Sequence, residues 1–337
     1  MSRIVATRGI LSSAAALVVA AALITACGGT VQAAKTEALF RTIQTLSLSA
    51  YSSPTLLTAD ANALFVGVGG NSSANFLRVD TRSLTVAAKA SVPDVTSAVF
   101  DGGALWVTAN TLKELNPTSL TTTAQFSLPE PALFSAIGGG ELWVATATAL
   151  FEINPATGQT MRRVSLDFLP YALAGSRSDP TIYVLGDRQP SGPAVLAAYS
   201  TSTGHQLAER MIGAASVGPI AVTAEGVWVP DQEPKTGRTT IKFYKGATLT
   251  LRAQLPKRPF DTGPYYADGA LWLIDGAGRA DTVCANPVTG GERKSGPPVG
   301  VGLAGEMLTS PTATYLLHHT ARGDELLKIR PISACSS

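Results

Sequence analysis

One short pattern recurs along most of the chain: an aromatic residue stands among aliphatic ones, as in Ala104-Leu105-Trp106-Val107. The aromatic residues are, in order, Phe65, Trp106, Trp143, Tyr183, Trp228, Trp272 and Tyr315, and they include all four tryptophans. Successive aromatic residues are 41, 37, 40, 45, 44 and 43 residues apart. A nearly fixed period of this length is typical of propellers and solenoids, in which each repeat is one structural unit.

The residues around each aromatic position divide a copy of the repeat into four strands. In the second copy we predict strands at Thr96–Phe100, Ala104–Thr108, Thr111–Leu115 and Thr121–Leu128, with Gly102-Gly103 turning the first pair. Later in each copy an apolar run ends in turn residues such as Asn-Pro or Thr-Gly, which favour a tight reversal. Nearly continuous apolar strands suit sheets that are covered on both faces. Radial repetition of four-stranded sheets predicts an all-β chain folded as a seven-bladed β-propeller.

The two ends of the repeat region complement each other. The seventh copy supplies strands at Glu306–Thr309, Ala313–His318 and Glu325–Arg330, and then stops before a fourth strand. The segment Arg41–Leu48 resembles the fourth strands of other copies. We therefore predict that this N-terminal strand becomes the outer strand of the last blade and closes the ring.

Over roughly the whole mature chain, the motif "glycine turn, ALWV, variable loop, turn with Asn-Pro or Thr-Gly" resembles the YVTN, NHL and streptogramin-lyase-like superfamily of seven-bladed propellers. The resemblance implies the fold, whereas propellers of this kind carry many unrelated activities. For an activity like that of streptogramin lyases, the resemblance would further imply a metal held among histidines and acids near the central axis. Beyond the leader the chain has only His205, His318 and His319, without ligand spacing, so we predict no histidine metal site.

The first residues have the features of an export signal. Arg3 and Arg8 precede an apolar stretch, Ile10–Thr25, which runs into Ile24-Thr25-Ala26-Cys27. This end resembles the bacterial lipobox, in which the cysteine is lipidated and becomes N-terminal after cleavage. The resulting domain prediction is a signal peptide at 1–26, lipidated Cys27 with a tether at 27–39, and the propeller at 40–337. The protein would then be extracytoplasmic and lipid-anchored to the cell membrane. The alternative is an ordinary cleaved signal in which this cysteine is incidental.

The charge balance and the cysteine content give further information on the functional class and on disulfide bonding. Without the two leader arginines, 24 Lys and Arg face 24 Asp and Glu, which argues against a nucleic-acid binder. Cys284 and Cys335 are the remaining cysteines. They either pair in an oxidising compartment or remain two separate thiols.

Known catalytic motifs do not assign an activity to this sequence. Gly300-Val301-Gly302-Leu303-Ala304-Gly305 fits a dinucleotide fingerprint only by its letters, because the expected strand and helix do not flank it. A nucleophile elbow, a Walker sequence and an EF-hand loop do not occur, so hydrolase and nucleotide-binding functions are disfavoured.

The candidate site is the end of the ring that carries the loops between second and third strands and the segments leading into the blades. Acids, arginines, tyrosines and a histidine suited to ligand binding occur there in blades four to seven. They are Tyr171, Asp187, Arg188, Asp231, Arg238, Asp261, Tyr265, Asp275, Arg279, His318 and Arg322. The alternative is that each belongs to a solvated loop with local salt bridges.

We therefore expect a monomeric binding or scaffolding module without a cofactor, whose partner is an envelope protein or glycan. A second hypothesis is a metal-dependent lactonase- or lyase-type enzyme. In it Asp187, Asp231, Asp261 and Asp275 would hold Ca²⁺ around the axis through oxygen ligands.

Overall fold

The computed structural model describes residues 38–69, 75–188, 193–214, 219–233, 236, 239–255, 262–274, 282–296, 303–333 and 335. By its internal contacts the chain divides into two units, Met1–Thr36 and Glu37–Ser337, and the following concerns the second. The prediction of a seven-bladed β-propeller is confirmed: seven antiparallel blades of four strands follow one another along the chain.

The first strand among the described residues is β1 (Phe40–Ser47). Blade 1 consists of β2 (Ser52–Ala59), β3 (Ala63–Gly69), β4 (Phe76–Asp80) and β5 (Thr85–Ala90). Blade 2 consists of β6 (Ser97–Asp101), β7 (Ala104–Ala109), β8 (Thr111–Leu115) and β9 (Thr122–Phe126). Blade 3 consists of β10 (Phe134–Gly138), β11 (Glu141–Ala145), β12 (Ala149–Ile153) and β13 (Thr160–Ser165). Blade 4 consists of β14 (Leu169–Gly175), β15 (Thr181–Asp187), β16 (Pro193–Ser200) and β17 (Gln206–Ala214).

Blade 5 consists of β18 (Ala221–Thr223), β19 (Gly226–Gln232), β20 (Thr239–Lys245) and β21 (Thr250–Gln254), with a 3-10 turn at Gly246–Thr248. Blade 6 consists of β22 (Thr262–Ala267), β23 (Ala270–Ile274), β24 (Thr282–Ala285) and β25 (Glu292–Gly296). Blade 7 consists of β26 (Leu303–Ser310), β27 (Ala313–Thr320), β28 (Gly323–Pro331) and, as its outer strand, β1. Within the described residues, no helix has the length and apolar character needed to cross a membrane.

The ring closes as predicted from the two ends of the repeat. Strand β1 pairs antiparallel with β28, from Phe40 opposite Pro331 to Ser47 opposite Glu325. The C-terminal tail is bonded to blade 6, because Cys335 forms a disulfide with Cys284 of β24, with their Cα atoms 5.8 Å apart. Of the two alternatives for these cysteines, the structure therefore has the bonded one.

The repeated aromatic residue packs between neighbouring blades. Trp106 packs with Leu142, Val144 and Phe151 of blade 3, whereas Leu105 and Val107 face the core shared with blade 1. This is the arrangement expected for alternating side chains in a strand that is covered on both faces. The other aromatic residues of the pattern also face the following blade.

The second blade shows how local residues set the strand bounds. Gly102 and Gly103 have φ values of 58° and 86°, which explains a two-glycine turn between β6 and β7. The fourth strand ends at Phe126 and not at Leu128 as predicted. We attribute the difference to Pro129, which has no N–H for the ladder and restricts the residue before it.

The ring has two distinct ends. We call the end with the first-to-second and third-to-fourth strand turns, such as Gly102-Gly103 and Pro117–Ser119, the turn end. The loop end carries the second-to-third strand loops, such as the one beginning at Arg188, and the segments leading into the blades, such as Asp167.

Candidate functional site

A buried carboxylate lies at the loop end of blade 4. Asp187 is the last residue of β15 and only 6% exposed, and its Oδ2 accepts a 2.6 Å hydrogen bond from the Tyr171 hydroxyl. Its Oδ1 is also buried and has no hydrogen-bond partner among the described residues. The bond to Asp187, together with burial and the carboxylate charge, raises the pKa of Tyr171 to about 12. Tyr171 therefore remains a protonated donor at neutral pH.

Tyr171 reaches Asp187 because its strand is irregular. The pairing of β14 with β15 shifts register between Pro170 and Ala172, so Tyr171 lies in a β-bulge. A bulge re-aims the side chain of the extra residue. Simple alternation would place Tyr171 on the side of Leu173, which packs in the core shared with blade 3.

A second buried carboxylate belongs to blade 5. Asp231 is 7% exposed, and its Oδ1 accepts a 2.6 Å hydrogen bond from the backbone N–H of Gly213. Its Oδ2 forms an ion pair with Lys242 on the neighbouring strand. A side chain at position 213 would collide with Asp231, since a Cβ there would meet its Oδ1. Asp231 is thus held by one neutral donor and one cation.

Both carboxylates belong to the interface between blades 4 and 5. In β15, Tyr183 and Leu185 pack in the core shared with blade 5, and alternation puts Asp187 on the same face. In β19, Val227 and Val229 pack in that same core, and alternation puts Asp231 on their face. We call Tyr171, Asp187, Asp231 and Lys242 the acidic cleft.

Arg188 follows Asp187 but lies on the opposite face of blade 4, because its partner Glu209 is paired with Ala197, which packs in the core shared with blade 3. Its guanidinium is 2.6 Å from Glu209 Oε1 and 3.1 Å from Asp167 Oδ2. Because Arg188 is 40% exposed, these ion pairs are partly screened by water. Leu169, the first residue of β14, is paired with Asp187 in the ladder and is 46% exposed, so an apolar side chain lies beside that carboxylate at the loop end.

The predicted residues of blade 7 form a separate group. His318 is 6% exposed, its Nδ1 is 3.6 Å from Glu325, and neither ring nitrogen has a hydrogen-bond partner among the described residues. His319 Nδ1 lies 2.7 Å from Asp324 Oδ1. Since Leu316 packs toward blade 6 and Leu317 toward blade 1, alternation places the two histidines on opposite faces. Arg322 is exposed in the turn that follows.

The remaining predicted residues do not join these groups. Tyr265 lies farther along its strand and lines the central channel instead of the loop end. Arg238, Asp261, Asp275, Arg279 and Cys27 lie outside the described residues.

The central channel contains a cavity of about 570 Å³. Its described lining comes mostly from the first strands, with small and apolar side chains such as Ser97, Ser135 and Ile137 and without an acid. Arg177, at the turn end, pairs with Asp101. Among the described residues, no three or more His, Cys, Asp or Glu side chains come together as a metal site.

One partly buried acid was missed by the sequence analysis as a site residue. Glu306 lies in β26 at the register shift between Ala304 and Met307, and its Oε2 accepts a 2.5 Å hydrogen bond from the Leu56 N–H. Burial raises the pKa of Glu306, against smaller opposing effects of this bond and of His319. The signal available in the sequence was an acid within an inner strand that is otherwise apolar or small.

No known protein family matches the chain, and no curated protein matches it either. The resemblance to the YVTN, NHL and streptogramin-lyase-like superfamily therefore stays a prediction.

Solved structures do match the fold. BamB from Moraxella catarrhalis superposes with a TM-score of 0.56 at 12% identity, over 86% of this chain and 99% of that one. A chain of the Mitotic Checkpoint Complex has a TM-score of 0.65 at 12% identity, over 94% and 98%. The Pan2 WD40 domain of Neurospora crassa has a TM-score of 0.65 at 8% identity, over 88% and 98%. At these identities the likeness shows the fold alone, and the chain shares the β-propeller architecture with these proteins.

Proposed function

We propose that this propeller is an exported, membrane-anchored scaffold of the cell envelope that binds a partner protein at the acidic cleft. The observation that carries the proposal is Asp187, a buried carboxylate with one oxygen held by Tyr171 and the other without a partner among the described residues. Leaving a buried acceptor unsatisfied costs about 1–3 kcal/mol, and more for a charged group. A cationic donor from a partner, such as a lysine or arginine side chain, would remove that cost.

The surroundings of the cleft suit a protein partner. Leu169 offers exposed apolar surface beside Asp187, and the charged Arg188 lies on the other face of the same blade end. Protein interfaces combine such apolar contacts with a polar rim. The likeness to a chain of the Mitotic Checkpoint Complex, which is an assembly by its name, is consistent with a scaffolding role.

Site-specific photo-crosslinking in intact cells tests this proposal. A photoreactive residue replaces Leu169 at the loop end or, as a control, the exposed Ser119 at the turn end. We expect one discrete crosslinked protein from position 169 and none from position 119. Asp187→Asn should weaken that crosslink about 10-fold or more, because it removes a charge-assisted hydrogen bond.

Asp94→Asn is the matched control for Asp187→Asn. Asp94 is an exposed acid at the loop end of blade 2, where it accepts a 3.1 Å hydrogen bond from Asn110. Its substitution should leave the crosslink unchanged. The binding role would be wrong if the crosslink survived Asp187→Asn or if both substitutions weakened it equally.

Export and anchoring rest on the leader sequence and are tested separately. Metabolic labelling with a clickable fatty acid should label the wild-type chain and not the Cys27→Ala variant. Labelling of both chains, or of neither, would contradict anchoring through Cys27.

Calcium distinguishes the scaffold from the lactonase- or lyase-type alternative. A resident Ca²⁺ site stabilises the folded state by mass action, so melting would rise with added Ca²⁺. For the scaffold we expect equal melting temperatures with Ca²⁺ and with a chelator.

A further inference from the structure

A basic groove lies at the turn end, where blade 6 meets blade 7. Its cavity measures about 950 Å³. The basic side chains that line it are Arg41, Lys294, Lys328 and Arg330, and Asp268 is the one acid among its described lining residues. We call these five residues and the space between them the basic groove.

Two arginines of the basic groove oppose each other directly. Arg41 on β1 pairs with Arg330 on β28 in the antiparallel ladder, and both side chains are exposed. Like charges in directly opposite positions destabilise a sheet. Neither side chain has an ion pair or a hydrogen bond with any described residue. The strand pair that closes the ring thus carries two uncompensated positive charges.

The single acid does not neutralise these charges. Asp268 accepts a hydrogen bond from the Thr314 hydroxyl, and no ion pair joins it to a basic residue of the described chain. Lys328 donates to the Thr81 carbonyl at 2.8 Å, which uses one of its three N–H groups. Even without Lys294, the three basic residues Arg41, Lys328 and Arg330 outnumber this acid, so the groove presents a net positive surface to an external anion.

An apolar side chain adjoins the arginines. Ile43, on the same strand as Arg41, lines the groove and is 49% exposed. Basic residues beside exposed apolar ones are typical of surfaces that lie at the lipid headgroup level.

The chain enters the propeller at this groove. Leu39 is fully buried, its carbonyl accepts a 3.0 Å hydrogen bond from Ile332, and the neighbouring Phe40 packs 4.5 Å from the Trp272 ring. In the sequence, 12 residues join Cys27 to the buried Leu39, and they span at most about 40 Å when extended, so an anchor at Cys27 would set an upper limit on the distance of the turn end from the membrane.

We propose that the basic groove binds the phosphates of anionic phospholipid headgroups, which sets the turn end against the membrane and points the acidic cleft away from it. This inference rests on the membrane anchoring in the proposed function. The equal numbers of acids and bases in the mature chain do not oppose it, because surface attraction depends on charges within a Debye length of about 8–10 Å.

The test uses the unlipidated mature chain from residue 28. All paired strands lie between Phe40 and Pro331 and the ring closes among them, so this chain retains the complete fold. Sedimentation measures its partitioning onto phosphatidylcholine vesicles with and without about 30 mol % phosphatidylglycerol. Since no acyl chain is present, binding here reports the groove alone, whereas failure of anchoring would appear only in the labelling of Cys27.

The variant Arg41→Gln with Arg330→Gln removes the opposed charges. We expect the wild-type chain to bind only the anionic vesicles, and the double variant to bind them roughly 30-fold more weakly. Arg163→Gln with Arg252→Gln is the matched control, because it removes two exposed arginines from the outer strands of blades 3 and 5. This control should bind as the wild type does.

Three results would overturn the proposal. They are equal binding to neutral and anionic vesicles, unchanged binding of the groove variant, and equal weakening by both pairs of substitutions. Inorganic phosphate supplies a further arm: if millimolar phosphate abolished vesicle binding at constant ionic strength, the groove would be a site for small anions. Melting curves confirm that both variants fold, and loss of the Arg41–Arg330 opposition should not lower stability.

Discussion

The four tryptophans occupy equivalent places in the repeat, yet their indole N–H groups differ. Trp228 Nε1 donates to the Pro287 carbonyl at 2.7 Å, whereas Trp106 Nε1 is buried without a partner among the described residues. We predict that replacement by phenylalanine destabilises the protein less at Trp106 than at Trp228. The comparison isolates the hydrogen bond, because both side chains are fully buried between blades.

The magnitude follows from what each substitution leaves behind. Both remove the same ring atoms, and both rings pack near a phenylalanine, at 5.8 Å for Trp106 and 5.0 Å for Trp228. The packing loss is therefore similar in the two variants. Trp228→Phe also loses a hydrogen bond, while Trp106→Phe removes an unsatisfied N–H. Each of these contributions is about 1 kcal/mol, so we expect a difference near 2 kcal/mol.

Urea unfolding of the mature chain, followed by far-UV circular dichroism, measures the difference in unfolding free energy. With an unfolding entropy of about 2.1 cal/mol/K per residue over roughly 300 residues, 2 kcal/mol corresponds to about 3 °C in Tm. Trp272, whose Nε1 donates to the Ala267 carbonyl at 3.0 Å, should behave like Trp228. Trp143, whose Nε1 has no partner among the described residues, should behave like Trp106. Equal losses at all four positions, or the opposite order, would refute the reasoning.

The remaining predictions also concern stability. Trp106→Ala should cost about 3–5 kcal/mol in urea unfolding and leave vesicle binding intact, because the residue fills the core between two blades. Deletion of 39–49 should lower Tm sharply, since it removes the strand that closes the ring; an unchanged Tm would contradict closure. Replacing Cys284 and Cys335 by serine should lower the unfolding free energy by about 4 kcal/mol, because the disulfide closes a 51-residue loop in the unfolded chain. If reduction of the wild type left its Tm unchanged, this prediction would be wrong. Glu306→Gln should raise Tm at neutral pH, because a carboxyl whose pKa is raised in the folded state destabilises the protein only when it is ionised. The gain in Tm should therefore become smaller as the pH is lowered toward 4.5. A gain in Tm that did not depend on pH would be evidence against this explanation.

The architecture was predictable because it depends on a repeated signal. An aromatic residue at every period, aliphatic neighbours on both sides and turn residues at each end specify the same four-stranded unit seven times. Errors at one boundary, such as Leu128, do not affect the others. The closing strand was predictable for the same reason, since Arg41–Leu48 resembles the outer strands it replaces.

The contacts at the candidate site were only partly predictable. Asp187 and Asp231 were expected at the loop end, and the structure adds that both are buried and belong to one interface. The Tyr171 hydrogen bond depends on a β-bulge, which reverses the face that simple alternation assigns. Glu306 lies at a similar register shift. Bulges have no distinct signature in this sequence, so Glu306 was missed, and Tyr171 was predicted as a site residue without its partner.

The position of the two acids within the repeat explains why only one described interface carries a carboxylate pair. Each repeated aromatic side chain faces the following blade, so a residue four positions later faces that blade and a residue three positions later faces the preceding one. Asp187 lies four residues after Tyr183 and Asp231 lies three after Trp228, which brings both acids to the boundary of blades 4 and 5. At the other boundaries where both positions are described, the corresponding pairs are Gly69 with Ala109, Asn110 with Thr146, Ala147 with Gly186, and His319 with Val68. Because none of these pairs contains a carboxylate, the acidic cleft is not a consequence of the fold but a local departure from its repeat, which is where a recognition site on a structural scaffold is expected.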